Sequence, residues 1–110
     1  NGMPTRQHFS WYYSFLKKRP KFNLKMHIEQ LSQHIGLNID VIKFMTKVFF
    51  ELEFVTIENG LTTVVENAPK RALEEAPSYK LRSQQIELEQ KLLYATYTEL
   101  KQWFNERMKG

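Results

Sequence analysis

The sequence predicts a mainly α-helical fold with one small β-hairpin, and three observations carry that prediction. Apolar residues recur at three- and four-residue steps over most of the chain, as they do on the buried face of helices. From residue 54 to residue 66 the pattern changes to the period-two alternation of half-buried strands. Asn59-Gly60 divides this alternating stretch, and Asn-Gly is the strongest short signal for a tight hairpin turn.

The first helix is expected from about Thr5 to Arg19. Thr5 can cap its N-terminus, and Pro20 stops it because proline lacks an amide hydrogen and clashes with the preceding turn. Besides its main apolar face, this helix has a second flank that holds Trp11 and Phe15. A helix that is apolar on two sides is either sandwiched between other elements or leaves aromatic rings exposed.

Two further helices are expected close behind the first. Asn23 is the predicted cap of a helix over residues 24–35, which Gly36 ends. Asn38 is the predicted cap of a third helix, over residues 39–53. Two helices joined by a short glycine turn are typical of a helix-turn-helix, and a hairpin directly after them is typical of a winged helix.

The remaining elements complete this winged-helix-like prediction. The two strands of the wing are expected at residues 54–57 and 61–66. Residues 67–77 hold two prolines around a charged middle, as connectors often do, and a long C-terminal helix is then expected over residues 78–108. Residues 1–110 would therefore form a single domain, with its winged-helix-like core at residues 5–66.

Size and composition suit one globular domain of a cytoplasmic protein. The 110 residues are 42% hydrophobic and 25% charged, which is ordinary for a chain that buries its own core. The chain has no cysteine, so disulfides and thiolate metal sites are excluded. No apolar run approaches the ~18 residues of a membrane span, and no signal-peptide pattern opens the chain. Its abrupt start suggests a fragment of a larger protein.

The charge is concentrated in the front half of the chain. Residues 1–50 carry eight lysines or arginines and two acidic residues, whereas residues 51–110 carry eight and ten. A basic front half suits a polyanion such as nucleic acid, or an acidic protein partner.

The sequence offers no catalytic constellation and no metal site. It contains no glycine-rich phosphate loop, no nucleophile elbow and no helical His-Glu-x-x-His motif. His27 and His34 are seven residues apart and can share a helix face, but no carboxylates or cysteines accompany them as metal ligands. We therefore expect this chain not to be an enzyme by itself.

The densest basic patch comprises Lys17, Lys18 and Arg19, continued by Lys21 and Lys25. These five side chains are candidates for phosphate contacts, which would make binding fall steeply with salt. The alternative is a solvated helix end, where cations are favourably placed near the C-terminal dipole.

Two aromatic residues beside this patch are candidates for base stacking. Trp11 and Phe15 lie near Lys18 on the helix surface, and single-strand binders combine aromatic rings with cationic grooves in this way. The alternative is that both rings pack beneath the long C-terminal helix, since large exposed aromatics are usually avoided.

The outer face of the third helix is a second candidate surface, for protein docking, formed by Lys43, Thr46, Lys47 and Phe50. A winged helix that reads duplex DNA makes base contacts from this helix. Here the lysines have acidic neighbours, and the face has no Arg, Asn or Gln for bidentate base reading. A solvated face, or a basic and apolar patch that docks a peptide, fits these residues better.

Three segments of the chain are distinctive in combination: MPTRQHFSWYYSFLKKR, VIKFMTKVFFELEFVTIENG and QQIELEQKLLYATYTELKQWF. Together they span most of the chain, from Pro4 to Phe104, and resemble the C-terminal accessory region of the RecJ family of single-stranded-DNA-specific 5′→3′ exonucleases in Firmicute-type bacteria. The resemblance implies a role in DNA repair and recombination. It also implies that the nuclease chemistry belongs to an upstream core, which has Asp-His-His motifs and binds manganese or magnesium. None of those motifs occurs in this sequence.

Partners follow from the same resemblance. Enzymes of this family act on single-stranded DNA and work with the single-stranded-DNA-binding protein, whose acidic tail ends in an apolar residue. We expect an accessory domain that engages single-stranded DNA or positions the nuclease. The alternatives are a docking module for that acidic tail or for the enzyme's own core, and a winged-helix regulator that binds duplex DNA.

Overall fold

The computed structural model describes residues 3–19 and 21–109 and shows five α-helices and a three-stranded antiparallel sheet within them. In chain order the elements are α1 (Arg6–Lys17), β1 (Lys21–Asn23), α2 (Leu24–Ile35), α3 (Ile39–Glu51), β2 (Val55–Glu58), β3 (Leu61–Val64), α4 (Pro77–Tyr94) and α5 (Tyr97–Lys109). A single 3₁₀ turn, Leu73–Glu75, lies in the connector. The predicted mainly helical fold with a small hairpin is confirmed.

The described residues divide into two compact units, one of Pro4–Lys80 and one that comprises Met3 and residues 81–109. The first unit contains α1 to α3, the sheet and the first turn of α4, and the second contains the rest of α4 and α5. Among the described residues, none of the helices has the length and apolarity needed to cross a membrane.

The predicted helix caps at the start of the first three helices are confirmed. The side-chain oxygens of Thr5, Asn23 and Asn38 accept hydrogen bonds from the backbone N–H of His8, Met26 and Asp40, respectively. These bonds satisfy amide groups that have no partner inside the helix. Pro20, the predicted stop of the first helix, and residues 1–2 lie outside the described residues.

Gly36 ends α2 as predicted, in the left-handed conformation with φ 77°. Its N–H donates to the carbonyl of Ser32 at 2.8 Å, and the turn leads directly into α3. Glycine adopts this conformation without the steric penalty that a Cβ atom brings.

The hairpin turn is confirmed, and the sheet contains a strand that the sequence pattern did not indicate. Asn59 and Gly60 have φ of 50° and 79°, so both central residues of the turn are left-handed. The unpredicted strand is β1, which pairs antiparallel with β3 and gives the strand order β1-β3-β2. Three residues carry too little pattern to read as a strand alone, and β1 is defined by its partner.

The junction between α3 and β2 needs almost no linker because a Schellman motif ends the helix. The N–H of Phe54 donates to the carbonyl of Phe49 at 2.9 Å, and the N–H of Glu53 donates to that of Phe50 at 3.1 Å. Glu53 occupies the left-handed position with φ 62°. The chain therefore reverses within two residues and enters the hairpin.

The core of the Pro4–Lys80 unit is built around the ring of Phe49, which is 2% exposed. Its centroid lies 5.8 Å from the rings of Phe9 and Tyr12 and 5.3 Å from that of Tyr13, which joins α1 to α3. Tyr79, in the first turn of α4, lies 5.8 Å from Phe9 and extends this cluster. Such edge-to-face and tilted ring pairs add to the stabilisation that burial provides.

Instead of one long C-terminal helix over residues 78–108, the structure has α4 and α5, separated at residues 95–96. A capping box at the start of α5 is the physical reason. The N–H of Glu99 donates to Thr96 Oγ1 at 3.3 Å, and the N–H of Thr96 donates to the Glu99 carboxylate at 3.2 Å. The first of these two helices also begins at Pro77, one residue before the predicted start.

Candidate nucleic-acid interface

The basic residues at the end of α1 point to different sides of the molecule. The Lys17 Nζ lies 4.9 Å from the ring centroid of Tyr13, and the Tyr13 ring packs against Phe54. The Arg19 guanidinium lies 4.3 Å from the ring centroid of Phe15 instead. The predicted patch is therefore divided, with Lys17 and Arg19 over different rings.

A cleft of about 520 Å³ opens between the end of α1, β1 and α2. It is the larger of two adjoining clefts in this region and is called the larger cleft below. Its lining comprises Phe15, Arg19, Lys21, Phe22, Asn23, His27, Gln30, Leu31, His34 and Leu61. Helix α2 supplies four of these side chains and β1 supplies three, among them Lys21 and Phe22. The short strand thus brings a cation and an aromatic ring to the same opening.

A smaller cleft of about 210 Å³ adjoins the larger one. Its lining comprises Trp11, Ser14, Phe15, Lys18, Arg19, His34 and Ile35. Phe15, Arg19 and His34 belong to both clefts, so the two openings form one continuous surface, here called the basic-aromatic face. Neither cleft is lined by a carboxylate, so the local charge of this face is positive.

The two predicted stacking residues have different surroundings on this face. Trp11 is 49% exposed at the smaller cleft and has a free aromatic surface. Phe15 is partly buried, and its ring lies 6.5 Å from that of Tyr12 and 5.4 Å from that of Phe22. The Arg19 guanidinium also lies over the Phe15 ring, so this ring already has a cation and two aromatic neighbours.

The other predicted cations divide between the face and its surroundings. Lys18 lines the smaller cleft and Lys21 lines the larger one. Lys17 and Lys25 are exposed and line neither of these two clefts. Three of the five predicted basic residues are therefore brought together, and Lys17 and Lys25 are not.

The outer face of α3 retains three of its four predicted residues. Lys43 and Lys47 are exposed, and Phe50 is 51% exposed. Thr46 lies in the core instead, at 3% exposure, where its hydroxyl is 2.8 Å from the hydroxyl of Tyr12. The placement of Thr46 on this surface was wrong, because the buried tyrosine hydroxyl needs a polar partner there.

Seven residues that line the larger cleft were not among the predicted site residues: Phe22, Asn23, His27, Gln30, Leu31, His34 and Leu61. The spacing of the two histidines did indicate a shared face of α2, and both reach this cleft. Phe22 carried no signal, since its orientation depends on the pairing of β1 with β3. The described residues bring together no group of three histidine or acidic side chains that fits a metal ion.

Comparisons with known proteins identify the family of this chain. A family model described as "Single-strand DNA-specific exonuclease, C terminal domain" matches residues 1–104. Over 106 residues the chain is 50% identical to the single-stranded-DNA-specific exonuclease RecJ of Bacillus subtilis (strain 168). That alignment covers 96% of this chain and 14% of the Bacillus protein, and no solved structure matches. The chain therefore belongs to the family of C-terminal domains of single-strand DNA-specific exonucleases.

Proposed function

We propose that this chain is a non-catalytic accessory domain that helps an exonuclease to hold single-stranded DNA. The basic-aromatic face is the observation that carries the proposal. Lys18, Arg19 and Lys21 surround two adjoining clefts that no carboxylate lines, with Trp11 half-exposed beside them. Cations that follow the phosphates and rings that stack with bases are the two components of single-strand binding.

The cleavage chemistry is assigned to the rest of the parent enzyme. The Bacillus relative is named as the exonuclease, and this chain corresponds to 14% of its length. The side chains present do not fit a manganese or magnesium site, since the described residues contain no cluster of three ligands. The resemblance to the RecJ family implies an upstream catalytic core, and that core would hold the metal ions.

The order of the elements, which is like that of a winged helix, is consistent with the same role. Helices α2 and α3 joined by the Gly36 turn, followed by the β2–β3 hairpin, have the order of a helix-turn-helix and its wing. The tip of the hairpin carries the exposed Glu58, which would repel phosphate. We therefore assign DNA contact to the basic-aromatic face and not to the wing.

Fluorescence anisotropy with a labelled oligo-dT tests the proposal. The chain should bind at low salt, and its affinity should fall steeply as salt is added. Arg19→Gln combined with Lys21→Gln should reduce affinity and flatten the salt dependence by about 0.7 per lost phosphate contact. Lys17→Gln combined with Lys25→Gln is the matched control, because it removes the same charge away from both clefts.

Two results would contradict the proposal. Absence of oligo-dT binding even at low salt would exclude direct engagement of single-stranded DNA. Equal losses in the two double variants would show that net charge, and not the basic-aromatic face, attracts the DNA.

A second candidate function is docking of the acidic, apolar-ended tail of the single-stranded-DNA-binding protein. The observation that favours it is the stripe of Lys43, Lys47 and Phe50 along α3, whose aromatic ring is 51% exposed. A titration with an acidic tail peptide should shift the amide signals of α3, and Phe50→Ala should abolish the shifts. Shifts confined to other elements would exclude this placement.

A further inference from the structure

The larger cleft has an apolar interior that phosphate binding alone does not require. Leu31 is 3% exposed at its floor, and Phe22 and Leu61 add apolar surface to its walls. The two cations of the lining, Arg19 and Lys21, are exposed. A cleft with apolar walls and exposed cations matches a ligand that is flat and apolar on its faces and carries an anionic group.

Aromatic rings extend along one side of this cleft. The Phe22 ring is partly buried, and its centroid lies 5.4 Å from that of Phe15 and 5.9 Å from that of His27. Proteins that bind single strands stack bases on Phe, Tyr, Trp and His rings, because every base has a π face. Phe22 and His27 supply such rings inside the cleft.

Polar groups in the cleft match the edges of a nucleobase. Gln30 is exposed, and among the described residues its side-chain amide has no hydrogen-bond partner. An amide offers both donors and an acceptor, as the edge of a base does, and the imidazole of His34 adds a further polar group. The guanidinium of Arg19 is already held over the Phe15 ring, so little ordering is needed to contact a phosphate.

We propose that the larger cleft takes one unstacked nucleobase of the single strand, with Phe22 as its stacking surface, Gln30 at its edge and Arg19 on the adjoining phosphate. The inference rests on the proposed function and goes beyond it. It assigns one base of the strand to a defined position inside the larger cleft.

A comparison of oligo-dT with an abasic oligonucleotide of equal length distinguishes binding of a base from binding of the phosphates alone. Both carry the same phosphates, so electrostatic binding alone gives equal affinities. A base in the cleft should strengthen binding to oligo-dT by roughly 5- to 150-fold, the range for stacking of one base. Equal affinities would overturn the nucleobase site and leave only the phosphate contacts of the proposed function, whereas failure of both oligonucleotides to bind would overturn the two proposals together.

Substitutions in the cleft lining then test whether the base binds in the larger cleft. Gln30→Ala should reduce the preference for oligo-dT over the abasic strand, and Gln33→Ala, on the same helix but outside the cleft lining, should leave it unchanged. Phe22→Leu keeps an apolar side chain and removes the ring, so it should largely abolish the preference without lowering affinity for the abasic strand. Retention of the full preference in Gln30→Ala and Phe22→Leu would overturn the assignment of this cleft.

Discussion

At the scale of single residues, the hydroxyl of Tyr12 shows how one buried polar group determines its neighbours. The Tyr12 side chain is fully buried, and its hydroxyl lies 2.8 Å from Thr46 Oγ1. Thr46 donates its own hydrogen to the carbonyl of Ile42, also at 2.8 Å, so the tyrosine must be the donor to the threonine. A directed chain of two hydrogen bonds therefore joins α1 to α3.

The direction of this chain predicts unequal effects of mutating its two members. Thr46→Val leaves the buried Tyr12 hydroxyl without an acceptor and should lower the free energy of unfolding by about 1–3 kcal/mol. Tyr12→Phe leaves Thr46 bonded to the Ile42 carbonyl and should lower it by only about 1 kcal/mol. Chemical denaturation of both variants and the double variant measures the difference, and a larger loss for Tyr12→Phe would contradict the assigned direction.

Tyr12 also predicts a loss of stability at alkaline pH. Burial raises the pKa of Tyr12 from 10.0 to about 12, although its hydrogen bond with Thr46 acts in the opposite direction. The unfolded chain loses this proton at lower pH than the folded one, so the stabilisation is complete below pH 10 and is lost as pH rises through about 12. Denaturation of Tyr12→Phe across this window should show a weaker decline than the native sequence, and parallel declines would contradict the prediction.

The residues that sequence analysis placed correctly are those whose role is local. Thr5 and Asn59 act through the backbone within a few residues, so their sequence neighbourhood is sufficient to predict them. Thr46 could not be placed in the same way. Its position at the border of a helix face fits burial or exposure, and the partner that decides between them, Tyr12, is 34 residues away.

At the scale of elements, the end of α4 shows the limit of reading apolar periodicity alone. The three- and four-residue spacing continues across residues 95–96, and it predicted one helix where the structure has two. The Thr96-x-x-Glu99 pattern was visible in the sequence as a capping box. A local polar signal therefore determines this boundary where the apolar pattern suggests continuity.

The capping box predicts that Thr96 stabilises the start of α5. Thr96→Ala should weaken the first turn of α5 by about 1 kcal/mol, while Thr98→Ala, an exposed position in the same turn that does not cap the helix, should have little effect. Amide hydrogen exchange at residues 97–100 measures the change. Equal protection in the two variants would show that the cap does not hold this turn.

The same hydrogen bonds make the stability of the first turn of α5 depend on pH. The Thr96 side chain and backbone lower the pKa of Glu99, so the cap is present above the usual glutamate range, near 4.5. It is lost as pH falls through the lowered pKa, because the protonated carboxyl accepts the Thr96 N–H less well.

The candidate site was only partly predictable from its elements. The basic end of α1 was evident from composition, and Lys18 and Arg19 do reach the clefts. Phe22 was not evident because β1 exists only through its pairing with β3. Lys17 was included because it is adjacent in sequence, yet helical geometry directs it over Tyr13.

At the scale of the whole molecule, the core and the basic-aromatic face lie in the same compact unit. The cluster around Phe49 is complete within Pro4–Lys80, and every residue that lines the two clefts falls between Trp11 and Leu61. Stability and proposed DNA contact thus share one part of the chain.

This arrangement predicts that a chain without most of the second unit keeps both its cooperative fold and its affinity for single-stranded DNA. A chain that ends after Gln84 retains two turns of α4, including Tyr79 against Phe9, and should unfold in one cooperative transition. Its oligo-dT affinity should equal that of the full chain. Denaturation followed by fluorescence and by circular dichroism measures cooperativity, and a non-cooperative transition or lost oligo-dT binding would contradict the prediction.

The short strands have a consequence for how this domain behaves at high concentration. The two edges of the sheet are β1, with three residues, and β2, with four, and each carries an exposed charge, Lys21 on one and Glu58 on the other. Edges this short and charged offer few backbone groups to a neighbouring molecule and oppose strand-to-strand association. The hairpin can therefore support the cleft without giving crowded copies of the domain a template for aggregation.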